Sequence, residues 1–173
     1  GTMPCNWNHR ELAQQVMAGI RAAGGTPIEV NTVAINDAIT TGTEGMKTSL
    51  VSREVIADSV ELVVEAHHMD AIVLLASCDK IVPGMLMAAA RLDIPAIMIT
   101  GGPMLGGVEF DGRKTDETSL HEALGMLTAG RISDEEFHSL ENLCAPTCGS
   151  CSFFGTANTM CCLAEVLGMT LPG

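Results

Sequence analysis

The pattern of apolar and polar residues in the first third of the chain predicts a helix, a strand and a second helix. Residues 8–23 place apolar side chains at helical spacing and run into Gly24 and Gly25, which is typical of a helix that ends in a turn. Residues 27–35 alternate and predict a strand. Residues 52–68 return to helical spacing.

The middle of the chain predicts two further strands with a helix between them. Residues 70–76 (DAIVLLA) form a continuous apolar run of strand length, the pattern of a parallel strand covered on both faces. A helix over residues 83–92 leads to a strand over residues 95–100. Strands that alternate with helices predict a mainly parallel sheet in a three-layer α/β/α domain, with ligands at the carboxyl ends of the strands.

The last third is predicted to be helical apart from one loop and a cysteine-rich segment. Residues 104–114 are glycine-rich and predict a loop over the sheet edge. Helical periodicity returns over residues 118–129, 133–143 and 155–168. The second of these helices opens on Ser133-Asp134-Glu135-Glu136, a capping box with acidic residues at the positive helix end.

Composition narrows the class of protein and its partners. A chain of 173 residues with 47% hydrophobic content can bury the core of one α/β domain. A net charge of -12 would repel a phosphate backbone, and an aromatic content of 3% offers no platform for stacking bases, so nucleic acid is not expected as a partner. No apolar run approaches the length of a membrane span, and a cytoplasmic protein is expected.

Seven cysteines at uneven spacings favour metal ligation or chemistry over a disulfide framework in a reducing compartment. The run from Cys144 to Cys151 holds three of them in eight residues. Cys148 and Cys151 could form half of a zinc site or a redox pair, but no partner pair follows downstream. Cys161 and Cys162 lie in a predicted apolar helix and are interpreted as small core residues.

Charged residues follow two of the predicted strands. Asp37 ends one of them, where an aspartate is also a common turn or cap residue. Cys78, Asp79 and Lys80 end another. A thiol, a carboxylate and an amine are costly to bury unpaired, so we expect ion pairs or a ligand there. The five histidines have no ligand spacing to the cysteines and are interpreted as solvated or hydrogen-bonded.

Five blocks of sequence together resemble the dihydroxy-acid and phosphogluconate dehydratase family across nearly the whole chain. Their order and spacing carry the resemblance more than any single block does. The blocks are Pro4-Cys5-Asn6 with Asn8 and His9; Asn36-Asp37 through Gly42-Thr43-Glu44-Gly45-Met46-Lys47; Ser52-Arg53-Glu54-Val55-Ile56-Ala57-Asp58-Ser59; Cys78-Asp79-Lys80 with Pro83-Gly84; and Gly149-Ser150-Cys151 with Thr156-Ala157-Asn158-Thr159-Met160.

The resemblance implies a metal-dependent hydro-lyase. It implies that Cys5, Cys78 and Cys151 hold an iron-sulfur cluster, with a two-iron form favoured over a four-iron form. Asp37 and Asp79 would hold magnesium together with Lys80, a lysine that is carboxylated in some members and is the catalytic residue expected in this chain. The expected substrate is a small 2,3-dihydroxy acid of branched-chain amino acid biosynthesis, and the full-length protein is expected to be a homodimer.

The resemblance also implies that residues 1–173 are a single partial domain, the amino-terminal iron-sulfur domain of a longer dehydratase. The catalytic base would be a serine of a later domain, so the isolated chain is expected to be inactive. Asn36, Ala38, Ser77, Ser152 and Phe153 depart from the common family pattern, and their bulk bears on substrate identity more than on cluster binding. The open alternatives are a sugar-acid (aldonate) dehydratase, a non-catalytic metal-binding fragment, and a thiol redox protein that uses Cys148 and Cys151.

Overall fold

The computed structural model describes residues 3–172; residues 1, 2 and 173 of the predicted 1–173 domain lie outside that range. Most predicted helices are present within a residue or two of their predicted ends. The helices are α1 (His9–Ala22), α2 (Asp37–Thr40), α3 (Ser52–Ala66), α4 (Ile81–Leu92), α5 (Glu117–Thr128), α6 (Asp134–Leu143) and α7 (Thr156–Val166), with 3₁₀ turns at Pro4–Asn6 and Glu44–Thr48. None of the helices in the described range combines the length and apolarity needed to cross a membrane.

A parallel pair of strands joined by helix α4 confirms the predicted α/β class. Strand β1 (Ile72–Leu75) pairs with strand β2 (Ala96–Ile99) in the register Ile72 to Ala96 through Leu75 to Ile99. Parallel neighbours need a crossover, and α4 supplies it. Both strands therefore point their carboxyl ends at one edge, where Ser77, Cys78 and Gly101 follow.

Helices α3 and α4 pack against each other and form the main part of the core. Ile56 and Ala57 of α3 and Val82 and Ala88 of α4 are fully buried. The close approach depends on Gly84, since a Cβ there would lie 2.9 Å from the carbonyl oxygen of Arg53. Full burial of a side chain such as Ile56 contributes about 1.5–3 kcal/mol. This interface therefore stabilises α4 and, with it, the end of strand β1 that precedes α4.

The predicted strand over residues 27–35 is wrong. The segment pairs with no other strand within residues 3–172. Ile28, Val30 and Val33 expose 60%, 49% and 47% of their surface. Alternation signals a chain that can be extended, but a strand also needs a neighbour to accept its hydrogen bonds, and periodicity says nothing about that neighbour.

The predicted loop over residues 104–114 contains a short hairpin. Strand β3 (Glu109–Phe110) pairs antiparallel with strand β4 (Arg113–Lys114). Asp111 and Gly112 at the tip have φ values of 48° and 75°. An Asp-Gly pair with both residues at positive φ is the usual two-residue hairpin turn, and this dipeptide was the available signal for the hairpin.

Candidate functional site

Lys80 is the most buried charged side chain of the site. Its side chain has no solvent exposure, and its Nζ lies 2.5 Å from Asp37 Oδ1 and 3.7 Å from Asp79 Oδ1. Ser49 Oγ donates to the same Asp37 oxygen at 2.6 Å. We call Asp37, Asp79 and Lys80 the charged triad. The ion pairing expected for the residues after the strand is confirmed, and Asp37 supplies its shorter contact.

The lysine of the charged triad remains an ammonium despite its burial. Burial alone would lower the pKa of Lys80, but the hydrogen bond to Asp37 and the negative charges at Cys78, Asp37 and Asp79 outweigh it. The pKa of Lys80 is therefore raised above its ordinary value. A positive charge held between two carboxylates occupies the kind of position that a divalent cation would take.

Cys78 lies directly beside the charged triad in an unusual backbone conformation. Its φ is 84°, in the left-handed region that costs a non-glycine residue about 1–3 kcal/mol and is concentrated at functional sites. Lys80 Nζ lies 3.6 Å from Cys78 Sγ. The strained turn thus places this thiol next to a buried ammonium at the carboxyl end of β1.

The pKa values of Cys5 and Cys78 are shifted in opposite directions by their contact with each other. The pKa of Cys78 is lowered, first by a hydrogen bond from Cys5 and also by the charge of Lys80. The pKa of Cys5 is raised well above its ordinary range by that same hydrogen bond, by burial, and by negative charge at Cys78 and Cys151. A thiolate is the form that binds metals, so Cys78 is the cysteine of this pair that reaches that form more readily.

Backbone pairing brings the Cys151 segment to the other two cysteines. Ser150 N donates to Gly102 O at 2.7 Å, Met104 N donates to Ser150 O at 2.8 Å, and Gly149 N donates to Pro4 O at 3.2 Å. Gly149 has a φ of 126°, and a Cβ there would lie 2.5 Å from Gly102 O. Only glycine allows this approach, which joins the segments before Cys5 and Cys151 to the chain that follows β2.

Cys151 is a protonated thiol in this arrangement. Its pKa is raised to about 12, first by burial and then by the negative charges of Glu117 and Cys78. Negative charge at Cys78 thus raises the pKa of Cys151, and negative charge at Cys78 and Cys151 raises the pKa of Cys5. We call Cys5, Cys78 and Cys151 the three-cysteine site; the structure brings together the segments that carry them.

All seven cysteines are free thiols, and the remaining four differ in exposure. Cys144 is buried, and burial raises its pKa. Cys148 and Cys161 are half-buried. The expectation that Cys162 is a core residue is wrong, because it is exposed on the outer side of α7.

The donor atoms of the three-cysteine site suit a soft metal group. Within residues 3–172, no three His, Cys, Asp or Glu side chains lie close enough to hold one metal ion. An iron-sulfur cluster distributes its thiolate ligands over more than one iron, so its ligands can lie farther apart than those of a single metal ion. Asn6 Oδ1 and Ser152 Oγ, each next to one of these cysteines, are buried without a hydrogen-bond partner in the described range, as expected beside a site for a further group.

The sequence did not indicate the contacts that several residues make around the site. Ser49 holds Asp37, and His9 and Gly101 contact Ser77 immediately before Cys78. His9 is one of the histidines interpreted as hydrogen-bonded, and it does have a partner. The glycines at 101 and 102 suggested only a turn, whereas Gly102 pairs with the Cys151 segment.

An α/β domain that gathers free thiols from three segments beside a buried lysine and two carboxylates belongs to the class of thiol-rich α/β domains. The chain belongs to the dihydroxy-acid/6-phosphogluconate dehydratase N-terminal family, whose model matches residues 1–173. The predicted family is therefore confirmed.

Relatives named dihydroxy-acid dehydratase match most of this chain. The protein of Caldanaerobacter subterraneus subsp. tengcongensis is 60% identical over 94% of this chain and 29% of its own length. The protein of Methanothermobacter thermautotrophicus is 55% identical over 99% of this chain and 31% of its own length. The protein of Pyrococcus furiosus is 55% identical over 98% and 31%. The chain thus spans less than a third of the length of these relatives.

Proposed function

We propose that this chain is the cluster-bearing, amino-terminal part of a hydro-lyase that converts a 2,3-dihydroxy acid to a 2-oxo acid in branched-chain amino acid biosynthesis. The observation that carries the proposal is the meeting of the three-cysteine site with the charged triad at one sheet edge, in a chain whose relatives are named dihydroxy-acid dehydratase. We further propose a cytoplasmic enzyme that is a homodimer at full length and inactive as this chain alone.

Cys5, Cys78 and Cys151 would hold the iron-sulfur cluster, in our proposal a two-iron form. When bound, the cluster would supply a Lewis-acidic iron that makes a substrate hydroxyl a better leaving group. The cysteines would bind as thiolates, and the lowered pKa of Cys78 lets it release its proton more readily than Cys5 or Cys151, whose pKa values are raised. Uptake of the cluster therefore depends on pH and releases protons.

Asp37 and Asp79 would hold magnesium, with Lys80 as the third ligand and the catalytic residue. As an ammonium, Lys80 repels a cation and occupies the Asp37 oxygen. Carboxylation adds carbon dioxide to the neutral amine and releases a proton, which replaces that positive charge with oxygen donors suited to a hard cation. Lys80 in this form would no longer hold Asp37, whose oxygen becomes available, while Ser49 keeps the carboxylate in place.

A cavity beside Cys151 offers room for a small hydroxy acid. It measures about 460 Å³, and Lys114, Asp116 and Ser152 are among its lining residues. The ammonium of Lys114 provides a positive charge for a substrate carboxylate, and Ser152 places the cavity next to Cys151 in sequence. These residues would orient the substrate next to the three-cysteine site.

Anaerobic reconstitution with iron and sulfide tests the cluster assignment. The wild-type chain should develop the visible absorbance of an iron-sulfur protein and an electron paramagnetic resonance signal after reduction. Serine variants of Cys5, Cys78 and Cys151 should each lower bound iron by at least about tenfold, while the same change at exposed Cys162 should not. Unchanged uptake in all three variants would overturn the assignment.

A sugar-acid dehydratase is the second candidate, because the matched family also covers 6-phosphogluconate dehydratase. The full-length gene product should be assayed on dihydroxy-isovalerate and on aldonic acids. Turnover of aldonic acids alone would replace the first proposal with the second. A full-length product that takes up the cluster but turns over neither substrate would instead favour a non-catalytic metal-binding protein.

A further inference from the structure

His9, which is partly buried, hydrogen-bonds to the residue that precedes Cys78. It is the first residue of α1, and its Nε2 lies 3.0 Å from Ser77 Oγ. Ser77 has no solvent exposure. The two residues are 68 positions apart in sequence, so the contact joins the segment of Cys5 to the end of β1.

The hydrogen bonds of Ser77 determine which neighbour receives its hydroxyl proton. Gly101 N donates to Ser77 Oγ at 2.9 Å, so the hydroxyl accepts there. Within residues 3–172, His9 Nε2 is the remaining partner of that hydroxyl. A buried hydroxyl that failed to donate would cost about 1–3 kcal/mol. Ser77 therefore donates to His9 Nε2, which must carry no proton.

The surroundings of His9 also favour its neutral form. Burial lowers the pKa of the imidazole. The first position of a helix lies at the positive end of the helix dipole, where an imidazolium is disfavoured. A neutral imidazole that is bare at Nε2 carries its proton on Nδ1.

Gly101 lies against both Ser77 and the segment that carries Cys5. Asn8 Nδ2 donates to Gly101 O at 3.2 Å. A Cβ at Gly101 would lie 2.6 Å from Ser77 Oγ and 3.2 Å from Cys5 O. The chain following β2, the chain following β1 and the segment of Cys5 are thus in direct contact, and His9 makes the one side-chain bond from α1 to Ser77 within the described range.

We infer that His9 is a positioning residue, fixed as the neutral Nδ1–H tautomer by the Ser77 hydroxyl, that holds the Cys5 segment in register with Cys78. The role in cluster binding rests on the proposed function, whereas the tautomer does not. The hydrogen bond of His9 goes to Ser77 and to neither thiol, so His9 acts on the cysteines through the backbone of the segments that carry Cys5 and Cys78.

The tautomer of His9 can be measured in the metal-free chain. Long-range proton–nitrogen correlation spectra of the wild-type chain at neutral pH should show His9 protonated at Nδ1 alone, and Ser77→Ala should abolish that fixed pattern. A proton on Nε2 of His9 in the wild type, or an unchanged pattern in Ser77→Ala, would overturn the inference. This outcome is independent of whether the chain binds a cluster.

The positioning role is tested by reconstitution of variants. His9→Leu should lower bound iron and sulfide by at least about tenfold, while His9→Gln should restore uptake, because its amide oxygen can accept from Ser77. His67→Leu, at an exposed histidine, is the matched control. Wild-type uptake in His9→Leu, or equal loss in His9→Gln and His9→Leu, would overturn the role. If the wild-type chain takes up no cluster, the proposed function fails and the tautomer stands on its own test.

Discussion

Replacing Lys80 with methionine should destabilise the chain far more than its single charge suggests. Methionine keeps the volume of the side chain but removes the ammonium that lies 2.5 Å from Asp37. The carboxylate would then remain in a largely buried position without its cation. Breaking a buried ion pair on one side costs about 3–5 kcal/mol. Because Asp37 keeps 23% of its side-chain surface in solvent, we expect about 2–4 kcal/mol here.

Urea denaturation followed by circular dichroism measures this loss. A domain of this size unfolds with a slope of about 2–3 kcal/mol per molar urea, so the midpoint should fall by about 1 M. Lys47→Met is the matched control, because Lys47 pairs with Glu44 on the surface with both side chains exposed. That change should stay within about 0.5 kcal/mol.

Removing both partners separates the ion pair from simple packing. Asp37→Asn combined with Lys80→Met removes the shorter ion pair on both sides and leaves Asp79, which lies 3.7 Å from Lys80 Nζ and is 34% exposed, so the double variant should recover part of the stability lost by Lys80→Met alone. A Lys80→Met variant as stable as Lys47→Met would refute the reasoning. So would a double variant that is no more stable than the single one.

The same ion pair predicts a loss of stability in alkali. The pKa of Lys80 is raised in the folded chain, so its stabilising contribution is complete below the ordinary lysine pKa of about 10.4 and is lost as the pH rises through the higher folded value. Lys80→Met should lack this alkaline loss. The free energy of unfolding measured at several pH values above 9 provides the comparison.

Three further predictions concern packing, capping and reactivity. Gly84→Ala should destabilise the chain by about 1–3 kcal/mol in urea denaturation, because its Cβ would meet the backbone of α3. Gly125→Ala, which has open space around the new Cβ, should stabilise the chain by about 0.5–1 kcal/mol. The reverse order of stability would contradict the packing. Ser133→Ala should lower the free energy of unfolding by about 1 kcal/mol through loss of the α6 cap, and no change would show the cap to be unimportant. Iodoacetamide at neutral pH should label Cys78 faster than Cys144, because the pKa is lowered at Cys78 and raised at Cys144. Mass spectra of the metal-free chain measure the two labelling rates, and equal rates would contradict these pKa shifts.

The strands were predictable where burial itself leaves a pattern. A continuous apolar run such as residues 72–75 favours a strand in the interior of the domain, and the strand forms there with Leu74 buried and its neighbours partly buried. Residues 27–35 show the opposite case. Their alternation describes the local chain, while pairing depends on a neighbour elsewhere that no local pattern records.

The candidate site was predictable at each segment but not in its contacts. Cys78, Asp79 and Lys80 are adjacent, so their need for partners could be read directly from the sequence. The partner Asp37 lies 43 positions away, and Ser77 meets His9 at a distance of 68 positions. Such contacts follow from how the helices and strands pack, which residue spacing does not encode.

The backbone pairing around the three-cysteine site has a consequence for the order of folding. Strands β1 and β2 and helices α3 and α4 are neighbours in sequence, so their contacts can form early and cheaply in chain entropy. The bonds from Gly149 to Pro4 and from Asn8 to Gly101 join distant parts of the chain and must form late. Contacts that form late also tend to open first, so we expect the three-cysteine site to open by local unfolding while the α3–α4 core stays folded. A metal group could then be loaded into a chain that is already folded.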